Sequence, residues 1–324
     1  MNKLILLAVG SLLITGCTQQ TVTPVDNTLT VYTYDSLAAD YGLLPAIQDS
    51  FETESGLQLE VVTFADTGAM VSQLLLEQSA PKADVVLGID NSDVARYGDA
   101  DLFTNPTAFD YGYVGFVYDT TQLSFPEPIS LETLAEDETY QGKIIIEQAG
   151  LSSPGTQLLL WGQAVFGDDS NEFWEALADQ TLTVAPDWNT AYYTMFLNGE
   201  APIVLSYLTS PAYHIDQEGS DRYAAIPISD GYLKQTEYVA QVSGNNQTAG
   251  GQLFIDYLLS DAVQNQIPTT QWMFPVGGDA STWPAAYTQI IQPKADEILT
   301  IDAATVKQDY TTWLQDWNQA FGIQ

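Results

Sequence analysis

Leu29-Thr30-Val31-Tyr32-Thr33-Tyr34, Leu59-Glu60-Val61-Val62-Thr63-Phe64 and Asp84-Val85-Val86-Leu87-Gly88-Ile89 are three short runs rich in β-branched and aromatic side chains. That composition suits pleated, largely buried strands. The segments between them follow a different period. Ile47 and Phe51 stand one helical turn apart, and Met70 with Leu74 and Val71 with Leu75 repeat the four-residue spacing, which predicts two helices with apolar faces. Strand, helix, strand, helix, strand in that order requires parallel pairing through crossover helices, hence an α/β fold with helices on the faces of a sheet.

In an open parallel sheet the ligand crevice lies at the carboxyl ends of the strands. Each of the three runs ends in, or is followed within two residues by, an aspartate: Asp35, Asp66 and Asp90. Three carboxylates at that edge point to a polar or cationic ligand, with N-capping of the following helix as the competing role for each. Further on, residues 109–119 (FDYGYVGFVYD) alternate as a long strand able to cross between two lobes. A second α/β region follows, with strands at 143–146, 182–184 and 203–207 and a helix at 154–165. Residues 237–242 suit a return crossing, and helices are expected at 252–259 and 262–267. A last amphipathic helix at 303–321 puts Val306, Tyr310, Trp313, Trp317 and Phe321 on one stripe, where the tryptophans are packing residues. The expected organisation is a first lobe of residues 29–110 and 240–324 and a second of 111–239, with the ligand cleft between them.

Upstream, Lys3 precedes an apolar run from Leu4 to Ile14, followed by Thr15-Gly16-Cys17. The run is shorter than the ~20 apolar residues a membrane span needs, and it reads as a secretory signal. Ile14-Thr15-Gly16-Cys17 resembles the bacterial lipobox, which makes Cys17 a lipidated anchor on an extracytoplasmic protein. As the only cysteine, it has no internal disulfide partner. Residues 18–28 are polar and read as a tether. About 300 residues remain, more than one hydrophobic core usually serves. The chain carries 42 acidic against 8 basic residues, a net charge of -34. Such a field argues against nucleic acid and against adsorption to anionic lipid. It favours a cationic ligand, although a solvated acidic surface is its plainer use.

Ser152-Ser153-Pro154-Gly155-Thr156 precedes the apolar run 158–161. With Ser153 as N-cap and Pro154 at the first helical position, its free N–H groups would seat an anion. The same pattern recurs in 205–214 (LSYLTSPAYH), where Ser210 caps, Pro211 opens a helix, and Tyr207 and Tyr213 can face one cleft edge. Trp188 and Trp272 fall in loops, where a large ring is less easily explained as core. Aromatic and acidic walls suit a flat organic cation, at about 0.5–2 kcal/mol per ring; packing is the ordinary role of each ring alone.

Enzymatic readings find less support. Gly150-Leu151-Ser152-Ser153-Pro154 lacks the final glycine of a nucleophile elbow. A triad of Ser152, His214 and an aspartate remains an alternative, since triads are defined in space. The sequence has no histidine cluster, cysteine pair or calcium loop. Tyr192-Tyr193 resembles the paired tyrosines of ferric-ion-binding proteins, although its helical setting makes at least one a core residue.

Several segments together resemble the bacterial periplasmic thiamine-binding proteins, receptors of the thiamine ABC importer. They are Val31-Tyr32-Thr33-Tyr34-Asp35-Ser36 with Ala38-Ala39-Asp40, residues 83–91 (ADVVLGIDN), Phe109-Asp110-Tyr111-Gly112-Tyr113, Ser153-Pro154-Gly155 with 158–161, residues 205–214, and Trp272-Met273-Phe274-Pro275-Val276. The resemblance implies the two-lobed type II periplasmic-binding fold, closing on thiamine or a thiamine phosphate. It implies binding roles for Tyr34, Asp66, Ser152, Trp188, Tyr207, Tyr213 and Trp272, with Asp35, Asp90 and Asp110 as further candidates. Tyr41 stands where the family tends to show tryptophan, which keeps an aromatic wall. No catalytic residue, cofactor or metal is implied. The implied partner is an ABC permease, and the implied state is a monomer touching the membrane only through its anchor. Binding proteins for ferric iron or a polyamine, and a lipoprotein serine hydrolase, are the alternatives.

Overall fold

The structure, a computed structural model, describes residues 27–323; the leader, Cys17 and nearly all of the tether lie outside the described residues. The strands are β1 (Thr28–Tyr34), β2 (Gln58–Phe64), β3 (Val85–Asp90), β4 (Phe103–Asp119), β5 (Ile144–Glu147), β6 (Thr181–Ala185), β7 (Ile203–Tyr207), β8 (Tyr223–Ala225), β9 (Tyr232–Val242), β10 (Phe274–Pro275) and β11 (Ile298–Leu299). They join in the order β2-β1-β3-β9-β4-β7-β5-β6, with β8 and β10 added on β4 and β11 on β9.

β1 runs parallel to both β2 and β3, as the alternating pattern requires, with the helices Leu43–Ser55 and Thr67–Glu77 in the crossovers. The first buries Leu43, Leu44, Ile47 and Phe51 and stops where Gly56 takes a φ of 73°, a left-handed cap that suits glycine. The second buries Met70, Val71 and Leu74 but turns Leu75 outward. Leu74 already fills that turn of the stripe, and 3.6 residues per turn carries the next side chain off the face.

Two long strands make the crossings. β4 starts at Phe103, upstream of the expected 109; its first half pairs with β9 and its second with β7. β9 starts at Tyr232, upstream of the expected 237, and lies antiparallel between β3 and β4. The lobes therefore share one continuous sheet, and register breaks between Thr104 and Thr107 and between Ala108 and Asp110 sharpen its twist. On the first lobe Val31 and Tyr32 point into different apolar layers, with Phe51 and Phe254 on one side and Met70 and Ile89 on the other, as the two-residue period dictates. The second lobe is built on Phe116, Trp161, Trp174 and Leu205. Burying each such side chain contributes about 1.5–3 kcal/mol.

The expected boundary puts residues 240–324 with the first lobe. Phe254, Ile255 and Leu258 do pack there, whereas Tyr287, Val306, Tyr310 and Trp317 join the Phe116–Trp161 core. The last helix, Ala303–Ala320, needs a deep apolar layer for Trp317, and the second lobe supplies it. Arg96, in the first lobe, lies over the Tyr310 ring at 4.1 Å, so this helix also straps the two lobes together.

Candidate functional site

A cleft of about 840 Å³ opens between the lobes where β1, β2, β6 and β7 end. Tyr34 closes β1, Asp66 follows β2, Trp188 follows β6 and Tyr207 closes β7. Tyr213 comes from the helix Ser210–Gln217, Trp272 from the loop before β10, and Tyr41 from the loop after the short helix Asp35–Ala38. These seven expected residues all line the cleft. The other four do not. Asp35 is exposed in the first turn of its helix. Asp90 N-caps the helix Asn91–Tyr97 in a capping box and accepts from Gln157 Nε2 at 2.9 Å. Asp110 is fully buried behind the cleft floor. Ser152 is buried in a small adjoining pocket with Thr67, Gly68 and Arg96.

The helix expected to open at Pro154 opens one residue earlier. It spans Ser153–Phe166 with Ser152 at the N-cap position and no side-chain cap, and the free Ser153 N donates across the lobes to Asp66 Oδ1 at 3.2 Å. Ser153 and Pro154 therefore reach the cleft. A similar shift occurs in the second serine-proline segment, where Thr209 takes the N-cap position and Ser210 begins the helix. Ser210 Oγ accepts from Tyr207 N at 3.3 Å and bonds Ser206 Oγ at 2.8 Å.

Asp66 combines both of its expected roles. It accepts from Thr67 N at 2.7 Å as N-cap of the helix Thr67–Glu77 and faces the cleft. Burial pushes its carboxyl up to about 6, against the hydrogen bonds that favour the ion. With Ser153 Oγ donating to Thr67 Oγ1 at 2.8 Å and Gly68 N donating to Leu151 O at 2.9 Å, the Asp66–Ser153 bond holds the lobes closed.

The walls are aromatic. Trp188 stacks on Tyr192 at 5.2 Å and 16°, and its Nε1 donates to Ser206 Oγ at 2.8 Å. Trp272 meets Tyr213 edge-on at 5.5 Å and 90°. It sits at a φ of 55°, a left-handed conformation that costs a bulky residue of order 1–3 kcal/mol; its N–H donates to Ile267 O at 3.1 Å, which fixes the turn. Tyr41 and Tyr193 meet across the mouth at 6.1 Å.

The floor is acidic. Tyr34 Oη donates to both Glu237 oxygens, at 3.0 and 2.8 Å, and accepts from Gln271 Nε2 at 2.8 Å. Tyr207 Oη donates to Gln235 Oε1 at 3.1 Å, and Gln235 Nε2 donates to Glu237 at 3.1 Å. Sequence reasoning missed Glu237, reading it only as the start of a crossing strand. It also missed Tyr193, Asn189 and Thr209 as lining residues. Asn189 Oδ1 and Thr209 Oγ1 are buried without hydrogen-bond partners.

His214 is neither a cleft nor a surface residue. It is buried, with Nε2 on Tyr192 Oη at 3.0 Å and Nδ1 on Glu218 at 2.8 Å. Both ring nitrogens are occupied, so the alternative triad through Ser152 is not assembled. Among the described residues no group of three or more His, Cys, Asp or Glu side chains is placed to hold a metal ion.

A cleft between two α/β lobes on shared crossing strands, lined by rings and closed by hydrogen bonds from lobe to lobe, defines a solute-binding protein. Residues 29–267 match the bacterial extracellular solute-binding proteins. The chain is 39% identical over 310 residues to the thiamine-binding periplasmic protein of Escherichia coli K12, covering 90% of this chain and 93% of that one. It is 35% identical to its counterpart in Brucella suis, covering 90% and 91%. A solved periplasmic thiamin binding protein superposes with a TM-score of 0.85 at 38% identity, covering 91% of this chain and 96% of that one. The chain therefore belongs to the bacterial extracellular solute-binding proteins and, among them, to the thiamine-binding periplasmic proteins, a family that captures solutes.

Proposed function

We propose that this protein captures thiamine or a thiamine phosphate outside the cytoplasm and delivers it to the permease of an ABC importer. The observation that carries the reading is a single cleft with Trp188, Tyr213 and Trp272 as walls and the carboxyl groups of Asp66 and Glu237 at its base. A thiazolium is a flat permanent cation. Aromatic faces attract it at about 0.5–2 kcal/mol per ring, more where water is excluded, and a carboxylate beneath answers its charge. The unpaired oxygens of Asn189 and Thr209 accept from the aminopyrimidine. The N-terminal turn of the helix Ser153–Phe166, beside Ser152 and Ser153, receives the hydroxyethyl or phosphate tail.

Capture involves no bond making. The open cleft binds, the lobes close through Asp66, Ser153, Gly68 and Leu151, and the permease reads the closed shape. The protein works as a monomer, tethered by lipid on Cys17 and touching the membrane in no other way. Ferric iron is disfavoured because the Tyr192 hydroxyl is held by His214.

Titration of the purified protein with thiamine, following tryptophan fluorescence, tests the reading. A saturable change in the low or sub-micromolar range is expected; no change at high micromolar ligand removes it. Spermidine and ferric citrate serve as competitors. Detergent partitioning of the Cys17→Ser variant tests the anchor, and retention of that variant in the detergent phase removes it.

A further inference from the structure

Asp110 in β4 and Glu237 in β9 are register partners across the two strands that join the lobes. Asp110 is 0% exposed and Glu237 2%, and as directly opposed residues on antiparallel strands they send their carboxyl groups to the same side of the sheet, side by side. No N–H or hydroxyl group donates to either Asp110 oxygen, and no Lys or Arg among the described residues is paired with either acid. The nearest basic residue along β9, Lys234, belongs to the opposite side of the strand and lies over the Tyr111 ring at 3.8 Å. Two adjacent carboxyls, away from water and without a cation, cannot both ionise.

The other groups facing the pair add no positive charge. Tyr34 comes from β1, Asp66 from the loop after β2, Asp90 from the end of β3, Tyr207 from β7, and Tyr287 from beyond β10. One member of the pair nevertheless reaches the ligand: Glu237 lines the cleft and Asp110 does not.

We propose that Glu237 is the charge-selecting residue of the cleft, neutral while the cleft is empty, and that capture of a cation drives its proton into solvent while Asp110 keeps its own. The inference rests on the cationic ligand proposed above. The proton leaves through the open mouth, and the resulting carboxylate is held by three donors: the Asp110 carboxylic acid, the Tyr34 hydroxyl and the Gln235 amide. The cleft thus presents a negative charge only to a ligand that brings a positive one. A neutral isostere of thiamine would face a carboxylic acid and gain no ion pair. Burial, reinforced by the charge of Asp90, pushes Glu237 up to about 8, and burial beside Glu237 raises Asp110 well above the usual carboxyl range.

Two measurements test this. The first is calorimetric titration of the whole protein with thiamine near pH 7 in buffers of different ionisation enthalpy. Close to one proton is expected to leave per thiamine bound, with affinity falling roughly eightfold between about pH 7.5 and about pH 6.5. Glu237→Gln is expected to lose both the release and this pH dependence, and more than tenfold in affinity. Asp110→Asn, whose amide donates to the carboxylate as the neutral acid does, is expected to keep the release of close to one proton per thiamine, and loss of that release with binding retained overturns the inference. Thiamine binding without proton release, or release that persists in Glu237→Gln, overturns the inference and leaves the thiamine reading standing. The second measurement needs no ligand. The infrared C=O stretch of protonated carboxyl groups in the empty protein is followed from about pH 6 to about pH 9.5. A band that titrates near pH 8 and is absent from Glu237→Gln upholds the inference even if thiamine itself fails to bind. An identical profile in the two proteins overturns it.

Discussion

Replacing Gly68 with alanine should separate closure of the lobes from folding. Gly68 lies in the first turn of the helix Thr67–Glu77 with ordinary φ, so alanine suits its backbone and tends to favour the helix by up to about 1 kcal/mol. The added Cβ would sit 2.4 Å from Gly150 O and 2.6 Å from Leu151 Cα and Leu151 O. All three are backbone atoms of the opposite lobe, which no rotamer change can move. Restoring ordinary contact at 3.4 Å requires the lobes to part by about 1 Å at this edge, enough to break or stretch the bonds that cross it. Those are Gly68 N to Leu151 O at 2.9 Å, Ser153 N to Asp66 at 3.2 Å and Ser153 Oγ to Thr67 Oγ1 at 2.8 Å. At about 0.5–1.5 kcal/mol each, closure becomes less favourable by about 1.5–4.5 kcal/mol, or roughly tenfold to a thousandfold in affinity. Thiamine titration by tryptophan fluorescence reads the affinity, and small-angle scattering with and without ligand reads the closure. Melting of the unliganded variant should stay at or above the parent. Gly98→Ala, with no atom within 4 Å of its Cβ, is the control. A Gly68→Ala protein that binds within twofold and compacts as fully as the parent would refute the assignment of this contact as the closing edge.

Trp272→Ala should cost at least tenfold in thiamine affinity, since it removes a wall of the cleft, while the φ of 55° stays as unfavourable for alanine, which keeps the Cβ; near-parental affinity by calorimetry would take Trp272 out of the site. Trp317→Ala should lose about 3–5 kcal/mol in denaturant melts by emptying a fully buried position while leaving affinity unchanged. Asp66→Asn should weaken binding but stabilise the unliganded fold. The folded carboxyl titrates near 6 against an ordinary 3.8, so the stability of its neutral form is complete below about pH 4 and lost as the pH rises through about 6. The variant should match the parent at acid pH and exceed it above about pH 7 by at most about 3 kcal/mol, and a constant offset in chemical melts across that range would contradict the burial argument.

The fold was legible where period and composition agreed. The runs at β1, β2 and β3 are distinct from the helices between them by their shortness and their β-branched and aromatic composition, which decide where period alone does not, and the crossing at 109–119 announced itself by alternation. The site was legible where a residue had no structural excuse: Trp188 and Trp272 sit in loops, and both line the cleft. Aspartates at strand ends were harder, since capping and ligand contact ask for the same residue at the same place. Asp90 caps and accepts from Gln157 without reaching the cleft, while Asp66 caps and faces it. The lobe of the last helix was illegible because an apolar stripe says that a face is buried, without naming the core that buries it.

Glu237 was hidden for a different reason. An acid inside an alternating strand reads as a solvent-facing position, and only the sheet order shows that β9 is an interior strand between β3 and β4. There Asp90, Glu237 and Asp110 fall in one row across three adjacent strands. A row of carboxyls through the middle of a sheet costs several kcal/mol if ionised, and nothing on the neighbouring strands offsets it. Asp90 is satisfied by the backbone N–H groups of the helix it caps, which leaves Glu237 and Asp110 to share what the sheet cannot. Both lie on the strands that join the lobes, so the charge of the floor sits on the elements the two lobes share. A cation entering this cleft meets its counter-charge at the point where the two lobes are joined, and binding and closure then draw on one interaction.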